Sequence, residues 1–164
     1  TRAARRKRCR RREMARVRAG MENSDCRFIT VTTNRGHHLD IRGGMWHNVL
    51  TRMRKRWPQM EAWTVLEWKV NVGVHMHTVV KGITVFDEEF VRRVISLSDP
   101  SANVCIKRVS DPVRLAAYLT KQLTDDRVMS GWPRYFRPVS CTRGWAPGWG
   151  SNRQWLALRT LERL

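Results

Sequence analysis

Two histidines separated by one residue, His75 and His77, are the side chains whose type and spacing best suit chemistry. Successive residues of a β-strand point to opposite faces, so both imidazoles are expected on the same face, spaced to hold one divalent cation. The carboxylate of Glu67, shortly before them, is a candidate third donor. Two imidazoles and one carboxylate leave coordination positions open, as a catalytic metal site requires.

A predicted β-hairpin has to position these residues. Residues 65–69 and 74–80 contain the β-branched and aromatic types that favour strands, and Asn71 and Gly73 supply turn chemistry between them.

The length of the hairpin loop decides which residues face each other. If the loop is residues 71–73, Glu67 lies opposite His77 and Lys69 lies opposite His75, with Glu67 on the face of the imidazoles. A two-residue loop would shift the pairing by one position and turn Glu67 to the other face. The competing interpretation is that His75 and His77 are two partly buried histidines on an ordinary strand.

A second group of reactive side chains lies on a predicted helix over residues 112–123. Asp111 and Pro112 form a strong start signal, with the cap at Asp111 and proline at the first helical position. Successive helical residues are 100° apart, which separates an apolar face from a polar one. The apolar face holds Val113, Ala116, Ala117, Leu119 and Leu123, and the polar face holds Arg114, Tyr118, Lys121 and Gln122.

A tyrosine placed among cations suits attack on a phosphodiester. Its phenol has to lose a proton, and nearby positive charge favours the phenolate. Lys121, one turn from Tyr118, can supply that charge and also neutralise charge that grows on the phosphate. The competing interpretation is an incidental surface tyrosine.

These stretches also carry a resemblance to a family. The hairpin V-L-E-W-K…G-V-H-M-H-T-V-V-K-G resembles the His-hydrophobic-His motif of the HUH endonucleases, which include the relaxases and the rolling-circle replication initiators of plasmids and single-stranded DNA phages. Residues 28–33 resemble the family's first strand motif, and Tyr118-Leu-Thr-Lys121 resembles its Tyr-x-x-Lys nucleophile motif. Their order is that of the replication initiators, and they span the chain from about Arg27 to Leu123.

The resemblance implies a mechanism and a cofactor. Tyr118 would remain covalently joined to the 5′-phosphate while a 3′-hydroxyl leaves, with Mg²⁺ or Mn²⁺ held by His75 and His77. Glu67 is the preferred third ligand. Gln122 is a rival, because a Gln at this offset from the tyrosine is a metal ligand in the related single-tyrosine transposases. Tyr135 is the only other tyrosine, so a two-tyrosine mechanism within one chain is not expected.

The charge balance indicates a polyanionic partner. The chain has 32 Lys or Arg against 14 Asp or Glu, a net charge of +18, and nucleic acid is the usual partner of so basic a protein. An anionic membrane is the competitor, but no segment combines this charge with a strong apolar face. Residues 1–20 hold ten Arg or Lys and one Glu, and too few apolar residues to fold alone. They are expected to be a basic arm, disordered or a solvated helix, that contacts phosphates; a purely solubilising tail is the alternative.

Other candidates for nucleic-acid contact are scattered along the chain. Thr30 and Thr32 share one face of the first strand with Phe28 and offer hydroxyls to a ligand. A predicted helix over residues 44–57 carries a basic cluster that either holds DNA or is merely solvated. The remaining cationic candidates are Arg52 and Lys55 on this helix, Arg114, and Arg143 in a Thr-Arg-Gly segment comparable to one in the initiators.

The irregular stretch 124–151 interleaves tryptophans with arginines. Trp132, Trp145 and Trp149 suit stacking on unpaired bases, and equally suit a loop that buries its indoles over the sheet. The adjacent His37 and His38 point apart on extended chain and are interpreted as exposed loop residues.

The cysteines indicate the cellular compartment, and the first residue of the sequence bears on its processing. The four cysteines form no Cys-x-x-Cys pair and follow no secretory signal, so reduced thiols in the cytoplasm of a prokaryotic host are expected. Beginning at Thr1 suggests trimming or excision from a longer chain.

Together these patterns predict an α+β domain over residues 21–164, with a mainly antiparallel sheet and flanking helices in a ferredoxin-like variant. A helix is expected after Asp87, a strand over 103–109, a last strand over 139–142 and a helix over 152–164. The expected function is site-specific nicking and joining of single-stranded DNA at a replication origin, with a host helicase as a further expected partner. The alternatives are a single-tyrosine transposase of the same fold and a non-catalytic nucleic-acid-binding protein. No phosphate-cradling Gly-rich loop is present, so no ATPase is expected within these residues.

Overall fold

One antiparallel sheet organises the part of the chain described by the computed structural model, which comprises residues 1–33, 44–69, 73–130, 132 and 138–147. Its strands are β1 (Arg27–Thr33), β2 (Glu61–Lys69), β3 (Gly73–Lys81), β4 (Asn103–Arg108) and β5 (Val139–Cys141). They lie in the order β4-β1-β3-β2-β5, and each neighbouring pair is antiparallel. The predicted α+β class with a mainly antiparallel sheet is confirmed.

Helices cover both faces of this sheet. They are α1 (Arg2–Met21), α2 (Trp46–Arg56), α3 (Glu88–Ser98), α4 (Pro112–Thr120) and α5 (Asp126–Ser130), with a 3₁₀ turn over Lys121–Thr124. Ile29 and Val31 of β1 face a core shared with α2 and α3. Phe28 on the opposite face packs against a second core, to which α1 and α4 contribute. The predicted division of β1 into two faces is confirmed.

The hairpin register differs from the prediction by two positions. Glu67 pairs with His75, Val65 with His77, and Lys69 with Gly73. The expected pairings of Glu67 with His77 and Lys69 with His75 were therefore wrong. Gly73, at φ +94°, is the first residue of β3 and not the last residue of the loop. A shift of two preserves the face, and Glu67 still lies on the side of the imidazoles.

The helices over the first core agree with their sequence signals. α2 buries Trp46, Val49 and Met53, inside the predicted range 44–57. Asp87 caps α3, its Oδ1 accepting the Phe90 N–H at 2.9 Å. The predicted carboxylates Glu88 and Glu89 occupy its first turn, where they suit the positive end of the helix dipole.

The basic segment 1–20 forms most of α1, so of the two expected states, disordered or helical, it adopts the helical one. The helix buries Val17, Gly20 and Met21 against the second core. Lys81 of β3 ties down its C-terminal end by donating to the carbonyl oxygens of Gly20 at 2.6 Å and Trp145 at 2.7 Å. Burial lowers the pKa of Lys81.

Several predictions fall on other segments. The stretch after Thr124 is not wholly irregular, because residues 126–130 form α5. β4 and β5 form as predicted but end one residue early, at Arg108 and Cys141. The predicted helix 152–164 and the residues Trp149, Tyr135, His37 and His38 lie outside the described residues. The four cysteines form no disulfide with one another.

The packing of α1 against the second core can be tested by a substitution that adds one methyl group. A Cβ at Gly20 would overlap the fully buried indole of Trp145. We expect Gly20→Ala to lower the free energy of unfolding by about 1–3 kcal/mol, the usual cost of overpacking a core. Urea denaturation followed by circular dichroism measures this change.

The matched control is Gly44→Ala, since nothing lies within 4 Å of a Cβ at Gly44. This variant should keep or slightly raise the stability. Equal stability of Gly20→Ala and the wild-type protein would contradict the packing of α1.

Candidate active site

Two threonine–histidine pairs connect β1 to β3 on the face covered by α1 and α4. Thr30 lies directly opposite His77, and Thr32 directly opposite His75. The hydroxyl of Thr30 is 3.2 Å from Nδ1 of His77, and the hydroxyl of Thr32 is 3.1 Å from Nδ1 of His75. The two imidazoles lie 6.4 Å apart between ring centroids and 21° from parallel. The hydroxyls of Thr30 and Thr32, which were predicted to face a nucleic-acid ligand, are therefore in contact with the two histidines.

These hydrogen bonds orient the imidazole rings. A histidine bonded through Nδ1 presents Nε2 away from its partner, which is how metal-binding histidines are usually fixed by a neighbouring oxygen. Nε2 of His77 lies 3.1 Å from Oε2 of Glu67, and both side chains are buried. A line of polar atoms thus runs from Thr30 through His77 to Glu67, across three adjacent strands.

The contact between Glu67 and His77 is compatible with a shared cation. Neighbouring corners of an octahedron with metal–ligand distances of about 2.1 Å lie about 3 Å apart, close to the observed separation of the two atoms. Within the described residues, however, no group of three or more His, Cys, Asp or Glu side chains is gathered closely enough to form a metal site. The pair fits a divalent ion, and His75 or an amide oxygen would have to complete the set.

The candidate nucleophile lies beside this line. Asp111 caps α4 by accepting the Arg114 N–H at 3.0 Å, as its sequence predicts. One face of the helix reaches the sheet, and Tyr118 makes an edge-on contact with His77 at 5.8 Å between ring centroids. The Tyr118 side chain remains 42% exposed. The ammonium of Lys121 lies 4.5 Å from the centre of the phenol ring.

The predicted polar face of this helix is only partly correct. Arg114, Tyr118 and Lys121 are exposed, but Gln122 is buried and Val113 is 52% exposed. The α-helix ends at Thr120 and tightens into a 3₁₀ turn, where each residue advances about 120° and not 100°. The tighter turn carries Gln122 inward.

The position of Gln122 keeps it as a rival ligand. Its Nε2 donates to the carbonyl oxygen of Leu66 at 3.3 Å, next to Glu67 along β2. Its buried Oε1 has no hydrogen-bond partner in the part of the chain that the structure describes. Buried polar atoms are rarely left unsatisfied, so this oxygen is available to a ligand.

Other sequence candidates lie apart from Tyr118. The exposed side chains of Arg52 and Lys55 belong to α2, on the opposite face of the sheet. Arg143 follows β5 and lines a groove with Arg54 of α2. Arg114 alone among the predicted arginines shares the helix of the tyrosine.

One aromatic residue was not singled out as a site residue. Phe28 stacks on His77 at 5.8 Å and meets Tyr118 edge-on at 6.5 Å, which links the nucleophile helix to the imidazole. The alternation of β1 already placed it on the face of Thr30. Trp132 and Trp145 are buried, so they are not available for stacking on bases.

Comparison with known proteins supports the fold and goes no further. No protein-family model matches the chain, and no curated protein matches it. Among solved structures, it is similar to the hypothetical protein ORF119 from Sulfolobus islandicus rod-shaped virus 1, with a TM-score of 0.53 and 16% sequence identity. The match covers 68% of this chain and 93% of that chain. No helix among the described residues is long and apolar enough to cross a membrane.

The threonine–histidine pairs predict a measurable effect on metal affinity. Thr30→Val keeps the β-branched shape and removes the hydroxyl that orients His77. We expect Mn²⁺ affinity to fall about 10–100-fold, as is typical when an outer hydrogen-bond partner of a metal ligand is lost. Electron paramagnetic resonance of free Mn²⁺ measures the affinity without any activity assay.

Thr30→Ser retains a hydroxyl and should bind Mn²⁺ nearly as the wild-type protein does. If Thr30→Val and Thr30→Ser bind Mn²⁺ equally well, the hydroxyl does not position a metal ligand.

Proposed function

We propose that this protein is a metal-dependent endonuclease that nicks and rejoins single-stranded DNA to initiate rolling-circle replication. The observation that carries the proposal is the half-exposed phenol of Tyr118, which lies between the Lys121 ammonium and the buried pair of His77 and Glu67. A tyrosine that served only packing would be buried with the leucines of α4. The motif order of the HUH replication initiators, described above, supports the same activity.

The chemistry assigned to Tyr118 is nucleophilic substitution at phosphorus. Its phenolic proton leaves to water, which the exposure of the side chain permits. The phenolate oxygen bonds to phosphorus as the bond from phosphorus to the 3′-oxygen breaks, and that oxygen takes a proton from water. The product is a 5′-phosphotyrosine and a free 3′-hydroxyl. Attack by a 3′-hydroxyl reverses the step, so a strand can be rejoined without ATP.

Other side chains assist this substitution by position and charge. Lys121 neutralises charge that grows on the phosphate oxygens. The hydroxyl of Thr30 contacts Nδ1 of His77, and the ring of Phe28 stacks on one face of the imidazole, so both residues orient His77. Mg²⁺ or Mn²⁺ bound by Glu67, His75 and His77 would supply Lewis-acid polarisation of the scissile phosphate.

A second candidate function is that of a single-tyrosine HUH transposase. The unpartnered amide oxygen of Gln122 favours it, because such a Gln is a metal ligand in those enzymes. The Tyr118-x-x-Lys121 motif favours the initiators.

Covalent capture of DNA tests the proposed function. A single-stranded oligonucleotide labelled on the 3′ side of the cleaved bond should transfer its label to the protein in Mg²⁺ or Mn²⁺, and the adduct should be visible on a denaturing gel. Tyr118→Phe, which lacks the attacking oxygen, and treatment with EDTA should each abolish the adduct.

Tyr135→Phe is the matched control, because Tyr135 is the only other tyrosine in the sequence. It should form the adduct as the wild-type protein does. A library of random oligonucleotides avoids dependence on one origin sequence. Salt-sensitive binding of this library without any adduct would favour the non-catalytic alternative.

The identity of the third metal ligand, Glu67 or Gln122, distinguishes the two candidate functions. We expect Glu67→Gln to weaken Mn²⁺ binding at least tenfold, since a carboxylate is a stronger ligand for a hard cation than an amide. Gln122→Leu should leave Mn²⁺ binding within about twofold of wild type. Isothermal titration calorimetry measures both variants. The reverse order of effects would favour the transposase-type ligand set.

A further inference from the structure

The outer face of α1 carries a row of exposed cations. Val17 and Met21 point towards the second core, and the opposite side of the helix faces solvent. The exposed basic residues of this helix are Arg2, Arg5, Lys7, Arg8, Arg11, Arg12 and Arg18. All but Arg2 fall within an arc of roughly 160° when successive residues are placed 100° apart.

These cations repel one another in the free protein. Lys7 and Arg11 are four residues apart, and Arg8 lies three residues before Arg11, so their side chains are neighbours on the helix. No described acidic side chain forms an ion pair with Lys7, Arg8 or Arg11. The first turn contains no acidic residue that would suit the positive end of the helix dipole. Such an arrangement is stabilised by an external polyanion.

The location of α1 connects this face to the candidate nucleophile. α1 packs along α4 and along the 3₁₀ turn that begins at Lys121. Its N-terminal half is joined to α5 through the ion pair of Arg6 with Asp126. α1 therefore lies beside the helix and the turn that carry Tyr118 and Lys121, with its cationic face on the outer side.

The length of α1 and the burial of its apolar residues indicate which kind of polyanion its outer face suits. A helix of 20 residues is about 30 Å long and straight, so a flexible single strand can follow its whole length. A membrane-binding helix needs an apolar face to insert, but here the apolar residues Val17 and Met21 are buried in the core.

We propose that the outer face of α1 binds the phosphate backbone of the single-stranded DNA that flanks the phosphate attacked by Tyr118. This inference rests on the proposed function for the identity of the strand. Arginine and lysine contact phosphates without reading bases, so α1 contributes affinity and leaves sequence recognition to other parts of the protein.

The test compares two triple variants in a Tyr118→Phe background, which removes cleavage from the measurement. The first is Lys7→Gln, Arg8→Gln and Arg11→Gln on α1. The second is the matched control Arg54→Gln, Arg56→Gln and Arg93→Gln on α2 and α3, which also removes three positive charges from exposed positions but on the opposite face of the sheet. Fluorescence anisotropy with a labelled 30-nucleotide single strand gives the Kd at several salt concentrations, and circular dichroism checks that both variants remain folded.

We expect the α1 variant to bind at least tenfold more weakly at low salt. The slope of log K against log salt should fall in magnitude by about 2, as expected for three lost phosphate contacts on a single strand. The control variant should keep a slope close to that of the parent. Equal losses in both variants, a loss confined to the control variant, or no loss in either would overturn the proposal.

A comparison of single-stranded with double-stranded DNA tests whether α1 binds a single strand. The same oligonucleotide annealed to its complement should lose less affinity through the α1 substitutions than the single strand does. A larger loss with the duplex would overturn that assignment.

Cleavage kinetics separate this proposal from the proposed function. With Tyr118 intact, the α1 substitutions should raise KM for the oligonucleotide and leave kcat unchanged. If no variant forms an adduct but the α1 substitutions still weaken binding, the docking surface stands and the nuclease function fails. An adduct that forms with unchanged KM would support the nuclease and overturn the docking surface.

Discussion

The cross-strand contact between Thr30 and His77 is the constraint on which the candidate site depends. It occurs because β1 and β3 pair antiparallel with these two residues directly opposite each other. The hydroxyl fixes one nitrogen of the imidazole, and the other nitrogen then lies against Glu67 on the next strand. A shift of one residue in either pairing would turn Thr30 or Glu67 to the opposite face of the sheet. The geometry of the candidate site is thus set by backbone register, and α4 adds Tyr118 beside His77.

Much of this arrangement could be predicted from the sequence. The alternation of residues placed His75 and His77 on one face of their strand and Thr30 with Thr32 on one face of theirs, and Asp111 with Pro112 marked the start of α4. These signals are local, since each depends on a few neighbouring residues and on the periodicity of one element.

The features that could not be predicted depend on distant contacts. The turn chemistry of residues 70–73 allows several loop lengths, so the register of the hairpin was wrong by two positions although the face was right. Gln122 is buried because its helix tightens and its amide meets the carbonyl of Leu66, far away in the sequence. α1 is held in place by Lys81 and by the indole of Trp145. These contacts could not be predicted from residues 1–20 alone.

The two ends of α1 are held unequally, and this has a kinetic consequence. Its C-terminal turn is fixed by the partly buried Lys81, whereas its N-terminal half is joined to α5 through Arg6 and the exposed carboxylate of Asp126. Opening of the helix therefore begins at its first turns and proceeds inward. Those turns carry the cations that repel one another, so an anionic chain lying along them would slow the opening. If DNA docks on α1 as proposed, it would therefore hold the first turns of the helix in the helical state.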